Sequence, residues 1–413
     1  MALVVLLALA AAWVAERREG LLLPRVVVIA TAALVSVALV SAAWSVDPRL
    51  SVERAVSLGI LFTACLLLAQ ACAGRPPEIE RVLLGVLGGS AAVAAAGLIV
   101  LVVDHARSIQ PASIEAPLRY QGLGENPDTA SLLYAVTLPI AVWFLLTART
   151  PGRRTLAAAT LLLLYGSIVA SVSRGALVAG ALGAVVLVAA WGGRTRRTAV
   201  AAAVVVAALG RGAALEALPK PSSTPTAIAP APAVAGKATA AKAPRYVNVE
   251  SYYPLDADIG RPLPGGGEPE KPRSFFGASG RSVAWTGAIE QAARRPLVGY
   301  GFGTERAVFV DRYFAFVGGL VESSYIGIAL QLGIVGLVLL LALVVTLVVT
   351  GRPAFAGPQR SLAAACLGVL VAGLAVAVIQ SYIYSAGNIA TAALWITAFL
   401  LPAVAVGVGA RRA

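Results

Sequence analysis

The stretch VESSYIGIALQLGIVGLVLLLALVVTLVVT (residues 321–350) decides the class of this protein. Between Ile326 and Thr350 it carries no charge. At about 1.5 Å per helical residue it is long enough to cross a hydrocarbon layer of roughly 30 Å. One carboxylate, Glu322, stands at its mouth. A glutamate there is either a helix-start residue favoured by the macrodipole or part of a site.

The rest of the chain repeats the apolar pattern. Of 413 residues, 59% are hydrophobic and 13% charged, and the mean hydropathy of +0.83 lies outside the range of soluble domains. Apolar runs fall near 2–15, 21–44, 55–73, 82–103, 128–147, 155–172, 175–191, 198–215, 321–350, 361–384 and 389–408. They predict an all-α polytopic membrane bundle of about eleven transmembrane helices with one large external loop. The run 2–15 is short for a crossing, and Arg17 and Arg18 follow it, whereas a secretory signal carries its charges in front. The expectation is a helix with an outside N-terminus, or a chain missing its native start, and not a cleaved leader.

Arginine sets the orientation. Segments 16–25, 74–81, 149–154, 192–197, 351–360 and 409–413 hold fifteen arginines against four glutamates, out of 33 basic and 20 acidic residues in all. Short arginine-rich loops belong on the cytoplasmic side, which predicts a multi-pass protein of the cytoplasmic membrane. The net charge of +13 is then mostly topological and gives no reason to expect a nucleic-acid partner.

Three regions follow. Residues 1–210 hold the first eight runs, 211–320 form the external loop, and 321–413 hold the last three. Within the loop, 219–244 is rich in Pro, Ala, Ser and Thr without an acid or an aromatic ring, a composition that makes a flexible tether. Residues 281–295 read as a helix with Ser279 as its cap, an apolar stripe of Trp285, Ala288, Ile289 and Ala292, and a stop at Pro296. With Arg281, Arg294 and Arg295 at its ends, it either lies at the membrane interface or packs on the loop.

Scarcity narrows the chemistry. Cys65, Cys72 and Cys366 sit inside apolar runs, and His105 is the single histidine, so neither a zinc site nor a Ser-His-Asp triad has the residues it needs. Catalysis would run on carboxylates and arginines, with no metal and no cofactor. The near absence of ionisable groups inside the runs speaks against an ion-coupled transporter.

Polar chemistry gathers instead at the outer ends of the runs. LRYQGLGENPDTASLLY (118–134) brings Arg119 and Asn126-Pro127-Asp128. SVSRGA (171–176) brings Arg174, Arg281 opens the segment leading to RPLVGYGFGT (295–304), and VESSY (321–325) brings Glu322. Arginine grips phosphate bidentately while staying charged, so three of them beside glycine-flexed backbone suit an anionic headgroup. Each also has an ordinary role: Arg174 as a snorkelling side chain, Arg119 as a partner of Glu125 or Asp128, and Gly301-x-Gly303 as a plain turn.

In this order the segments resemble the O-antigen ligase and O-antigen polymerase superfamily. SAAWSVDPRLSVERA (41–55), RYQGLGENPDTAS, SVSRGALVAG, RSVAWTGAIEQAARRPLVGYGFGT and SSYIGIALQLGIVG carry the resemblance over most of the chain. It implies a membrane glycosyltransferase of the GT-C type. Such an enzyme moves a glycan from a polyprenyl-diphosphate carrier to a glycan, lipid or protein acceptor on the external face, without metal. By position, Arg119 and Arg174 would hold the diphosphate, Arg281 would support them, and Asn126, Tyr300 and Tyr325 would contact substrate. Glu322 stands where the resembling ligases commonly carry histidine, so either the carboxylate is the base or this branch has lost the ligase chemistry. The alternatives are a non-catalytic exporter of lipid-linked saccharide and a scaffold of envelope-polymer assembly.

Overall fold

The computed structural model describes residues 20–110, 119–123, 126–191, 281–308 and 321–409. The predicted runs 2–15 and 198–215, the tether 219–244 and the cap Ser279 lie outside them. In chain order the helices are α1 (Arg25–Val40, prolonged by a 3-10 turn Ser41–Trp44), α2 (Pro48–Cys72), α3 (Pro76–Val103), α4 (His105–Ser108), α5 (Pro127–Thr147), α6 (Pro151–Ala170), α7 (Arg174–Trp191), α8 (Arg281–Ala293), α9 (Glu305–Val308), α10 (Ser324–Gly351), α11 (Arg360–Ala377) and α12 (Ile389–Gly409). A short antiparallel ladder pairs β1 (Ile109–Gln110) with β2 (Arg119–Tyr120). Nine helices among the described residues are long and apolar enough to cross a membrane. The architecture is an all-α membrane bundle.

Local chemistry sets the helix starts. Proline occupies the first turn of α2, α3, α5 and α6, where its missing N–H would have had no partner anyway. The side chains of Asp47, Asn126 and Thr150 accept the N–H groups of Leu50, Asp128 and Arg153 and so cap three of these starts. Helices α2, α3 and α6 therefore begin several residues before the apolar runs that predicted them. The run 361–384 is corrected at its other end: α11 stops at Ala377, and residues 378–388 turn, with Ser385 N–H donating to the Tyr382 carbonyl at 2.8 Å. Gln380, Ser381 and Tyr384 break the apolar run there.

The core is held by close backbone approach. α5, α7 and α11 meet where a Cβ on Gly183 would stand 2.5 Å from the Gly368 carbonyl oxygen and 2.8 Å from Pro139 Cγ. Small residues at such crossings are how helices associate in lipid, where apolar burial gives no preference for another helix. α2 and α12 meet through rings, with Phe62 edge-on to Trp395 at 5.0 Å and the Trp395 indole N–H donating to the Ile383 carbonyl at 2.6 Å.

α10 is not continuous. Gly333 adopts φ 64 and ψ −161, a conformation essentially confined to glycine, and the helix breaks there. In an unbroken helix the N–H groups of Ile334 and Val335 would bond the carbonyls of Leu330 and Gln331. Here those carbonyls accept from Tyr300 N–H at 3.1 Å and Gly301 N–H at 2.8 Å. Ile334 and Val335 donate instead to the carbonyls of Pro296 and Leu297, at 2.8 and 3.3 Å. The loop 296–303 thus lies in the break and satisfies it on both sides. It is anchored in turn to the end of α1, because Trp44 Nε1 donates to the Val298 carbonyl at 3.1 Å and Phe302 N–H to Ser41 Oγ at 2.9 Å.

A Cβ at position 333 would stand inside the van der Waals radius of the Leu297 carbonyl. Gly333→Ala should therefore destabilise the folded protein by roughly 3 kcal/mol or more, from strain and overpacking together. Gly85→Ala is the control: nothing lies within 4 Å of its Cβ, and α3 should gain or lose no more than about 1 kcal/mol. Thermal unfolding of the two variants in one detergent makes the comparison, and equal melting temperatures would refute the strained break.

Candidate functional site

The ends of α1, α3, α6 and α11 and the starts of α2, α5, α7, α10 and α12 share one end of the bundle, because short turns reverse the chain between neighbouring helices and the starts of α7 and α10, at Gly175 and Ser323, both meet the 378–388 turn after α11. Arg25, Arg75, Arg81, Arg153, Arg352 and Arg360 belong to the other end. There Arg360 Nε donates to the Ala190 carbonyl at 2.6 Å, and Arg153 lies 3.9 Å from Glu80. Arg119, Asn126, Arg174 and Glu322, singled out in the sequence, therefore share the first end.

Arg119 leaves β2 and ties two helix ends together. Its Nε donates to the Ser171 carbonyl at the end of α6, at 2.9 Å, and its fork grips Asp128 in the first turn of α5, with Nη2 to Oδ1 at 2.5 Å. The arginine side chain is 14% exposed, so this pair is largely withdrawn from solvent. Of the two partners the sequence offered, Asp128 is engaged, and Glu125 lies outside the described residues. Asn126 is exposed and serves as the α5 cap.

The Ser171 turn continues into a strained residue. Val172 has φ 55, the left-handed region, which is a genuine outlier for a β-branched side chain. Two residues on, Arg174 begins α7 and is partly buried. Gly175 is pressed against the side chain of Ile379, so the turn that carries Arg174 abuts the 378–388 segment.

That segment holds the second half of the site, which centres on Glu305 in α9. Glu305 is 4% exposed. Its Oε1 accepts from Val321 N–H at 2.9 Å and Ser381 Oγ at 2.8 Å, and its Oε2 from the Tyr384 hydroxyl at 2.5 Å and Gln331 Nε2 at 3.4 Å. The polarity of these bonds follows from their neighbours. Ser381 Oγ accepts Ser323 N–H at 3.2 Å, so its own proton goes to Glu305. Gln331 Oε1 accepts Gly303 N–H at 2.6 Å, which turns its amide nitrogen toward the carboxylate. Burial pushes the Glu305 carboxyl above the ordinary range, and the bonds from Tyr384, Ser381 and Val321 pull it part of the way back. Burial, with the adjacent Glu305 charge, pushes the Tyr384 phenol well up, so Tyr384 remains the donor.

Glu322 sits beside this carboxylate, just before Ser323, the N-cap of α10. It is partly buried and has φ 53, the only other non-glycine residue besides Val172 with positive φ among the described residues. No protein-family model and no curated protein matches the chain. What the site can do must therefore be read from its own residues.

The other predicted site residues are placed as follows. Tyr300 is 2% exposed; its hydroxyl donates to the Gln291 carbonyl at 3.2 Å, and the Arg295 guanidinium lies 4.8 Å above its ring. The Tyr325 hydroxyl donates to the Leu374 carbonyl at 3.0 Å, joining α10 to α11. Arg281 opens α8, and its side chain lies outside those described. α8 itself packs on the protein: Trp285 Nε1 donates to the Val321 carbonyl at 3.1 Å, and Trp285, Ala288 and Ala292 join one apolar cluster with Tyr300 and Leu330. Ile289, predicted on the same stripe, is 55% exposed. Among the described residues no three His, Cys, Asp or Glu side chains come together to hold a metal.

The sequence reading passed over Glu305, Gln331, Ser381 and Tyr384. Glu305 directly follows the GYGFGT turn, and an isolated acid after a glycine-rich turn was the signal available. Ser381 and Tyr384 fell inside a run read as helix.

Because burial raises the Glu305 carboxyl above its ordinary value of 4.5, its contribution to stability is whole below that value and is lost as pH rises through the folded one. The melting temperature should therefore fall as pH increases from about 4.5 until Glu305 is ionised. Glu305→Gln should lack that part of the slope. Parallel pH profiles for the two proteins would show that Glu305 does not titrate in this way.

Proposed function

We propose that this protein is a glycosyltransferase of the cytoplasmic membrane that moves a glycan from a polyprenyl-diphosphate carrier to an acceptor hydroxyl on the external face. On this reading the full chain has eleven spans, with the external loop 211–320 between the eighth and ninth. The O-antigen ligase and polymerase resemblance supplies the reaction class. The observation that supports it most is convergence. Three segments that carry the resemblance meet at one end of the bundle: Arg119 bonds the Ser171 turn directly, and the Arg174 turn and the backbone beside Glu322 both meet the 378–388 segment, at Ile379 and Ser381.

The chemistry asks for two things. The acceptor oxygen attacks the anomeric carbon, the bond from that carbon to the diphosphate breaks, and the carrier diphosphate leaves with the bonding electrons. Arg174 and Arg119 would stabilise that leaving charge, Arg119 by exchanging Asp128 for a diphosphate oxygen in its fork. Glu322 would accept the proton from the acceptor hydroxyl as the new bond forms. Glu305 is too buried and too fully bonded to reach a substrate.

The test is transfer by purified protein from a polyprenyl-diphosphate-linked oligosaccharide. Glu322→Gln keeps the shape and removes the base, so turnover should fall by roughly 10²-fold or more at matched folded protein. Arg174→Ala should weaken use of the donor, and Arg174→Lys should restore it only in part, since a point charge cannot reproduce the fork. Unchanged turnover in Glu322→Gln would remove the base from this position. Wild-type protein that moves the intact lipid-linked glycan across a bilayer without transferring it would replace the transferase reading with the exporter.

A further inference from the structure

Glu322, with φ 53, occupies the left-handed backbone region, which an L side chain disfavours because its Cβ crowds the following carbonyl oxygen. Such a residue persists only where its surroundings over-determine it. The N–H groups of both neighbouring residues are held from one atom. Val321 N–H donates to Glu305 Oε1 directly, and Ser323 N–H donates to Ser381 Oγ, whose hydroxyl donates to the same Oε1. The backbone before and after Glu322 is thereby pinned to a single buried oxygen.

We propose that Glu305 is a positioning residue: its Oε1 holds Glu322 in the left-handed conformation, directly through Val321 and indirectly through Ser381, and so sets where the Glu322 carboxylate stands. The second oxygen has a different task. Oε2 takes Tyr384 and Gln331, which join α9 to the 378–388 segment and to the broken turn of α10 without touching the backbone around Glu322. The two halves of one carboxylate can therefore be separated by substitution. Ser381→Ala cuts the path to Ser323, whereas Tyr384→Phe removes the shorter bond of the two and leaves that path intact.

The consequence for turnover rests on the transferase reading. Ser381→Ala should lower kcat by roughly tenfold or more with KM for the lipid-linked donor unchanged, because a displaced base fails in the transition state and not in donor binding. Tyr384→Phe should keep kcat within about threefold of wild type. A general structural role predicts the reverse, since the Tyr384 bond is the shorter one and its ring is packed against Phe302 at 6.3 Å. Equal losses in the two variants, or a larger loss in Tyr384→Phe, would overturn the proposal.

A second measurement does not use transfer at all. In the Glu322→Gly background there is no left-handed strain to release. When Ser381→Ala frees the Ser323 amide, the wild-type backbone sheds that strain and recovers part of the lost stability. Ser381→Ala should therefore lower the melting temperature of the purified full-length protein less in the wild-type background than in Glu322→Gly. Additive shifts across this cycle would overturn the positioning role. If the wild-type protein transfers nothing while the cycle is non-additive, the transferase reading fails and the positioning role stands.

Discussion

A backbone amide or carbonyl without a partner inside an apolar bundle costs several kcal/mol, and nearly everything at the candidate site depends on how α10 avoids that cost. Its break at Gly333 lies nine residues from the helix start, about 14 Å along the axis, well inside the thickness of a bilayer core. Two intrahelical bonds are given up, and four bonds to the loop 296–303 replace them. The exchange needs a backbone that comes very close. A Cβ on Gly299 would stand 2.5 Å from the Gln331 carbonyl oxygen, and Gly299 itself has φ 63. Glycine meets both demands.

Once the loop is seated, the site follows from chain geometry. The same loop runs on through Gly303, whose N–H is held by the Gln331 side chain, and delivers Glu305 to the spot where α10 begins and the 378–388 segment returns. A buried carboxylate that makes no ion pair among the described residues is costly, and four donors offset the cost here. Those donors come from three parts of the chain, the residue before α10, the α10 turn before its break and the 378–388 segment, so one side chain sets their mutual distances. The Arg119–Asp128 pair does the equivalent for the other half, locking the start of α5 to the end of α6.

The coarse architecture was legible because membrane solvation writes itself into composition: nine of the predicted runs coincide with described helices, and the X-Pro caps explain their early starts. The break in α10 was not legible. Leu332, Gly333 and Ile334 look like any apolar helix, since one glycine in a membrane run usually means close packing and not a changed hydrogen-bond pattern. Glu305 escaped for a related reason. Its importance lies in partners up to 79 residues away, and no local pattern announces a bond between a turn after glycines and a tyrosine beyond the next two helices. Arg119 and Asp128 were readable as a pair because nine residues separate them.

The order in which the chain is made has a bearing on that carboxylate. During synthesis Glu305 emerges before every one of its side-chain partners, and the last of them, Tyr384, comes after α10 and α11. Until then the carboxylate has only Val321 and Gln331 to offset its burial, and its two shortest side-chain bonds are still unmade. Insertion of the earlier helices can finish while the site remains open. Closure is a late event, set by the arrival of the 378–388 segment, and a chain halted before Ser381 would hold most of the bundle with no arrangement around Glu322.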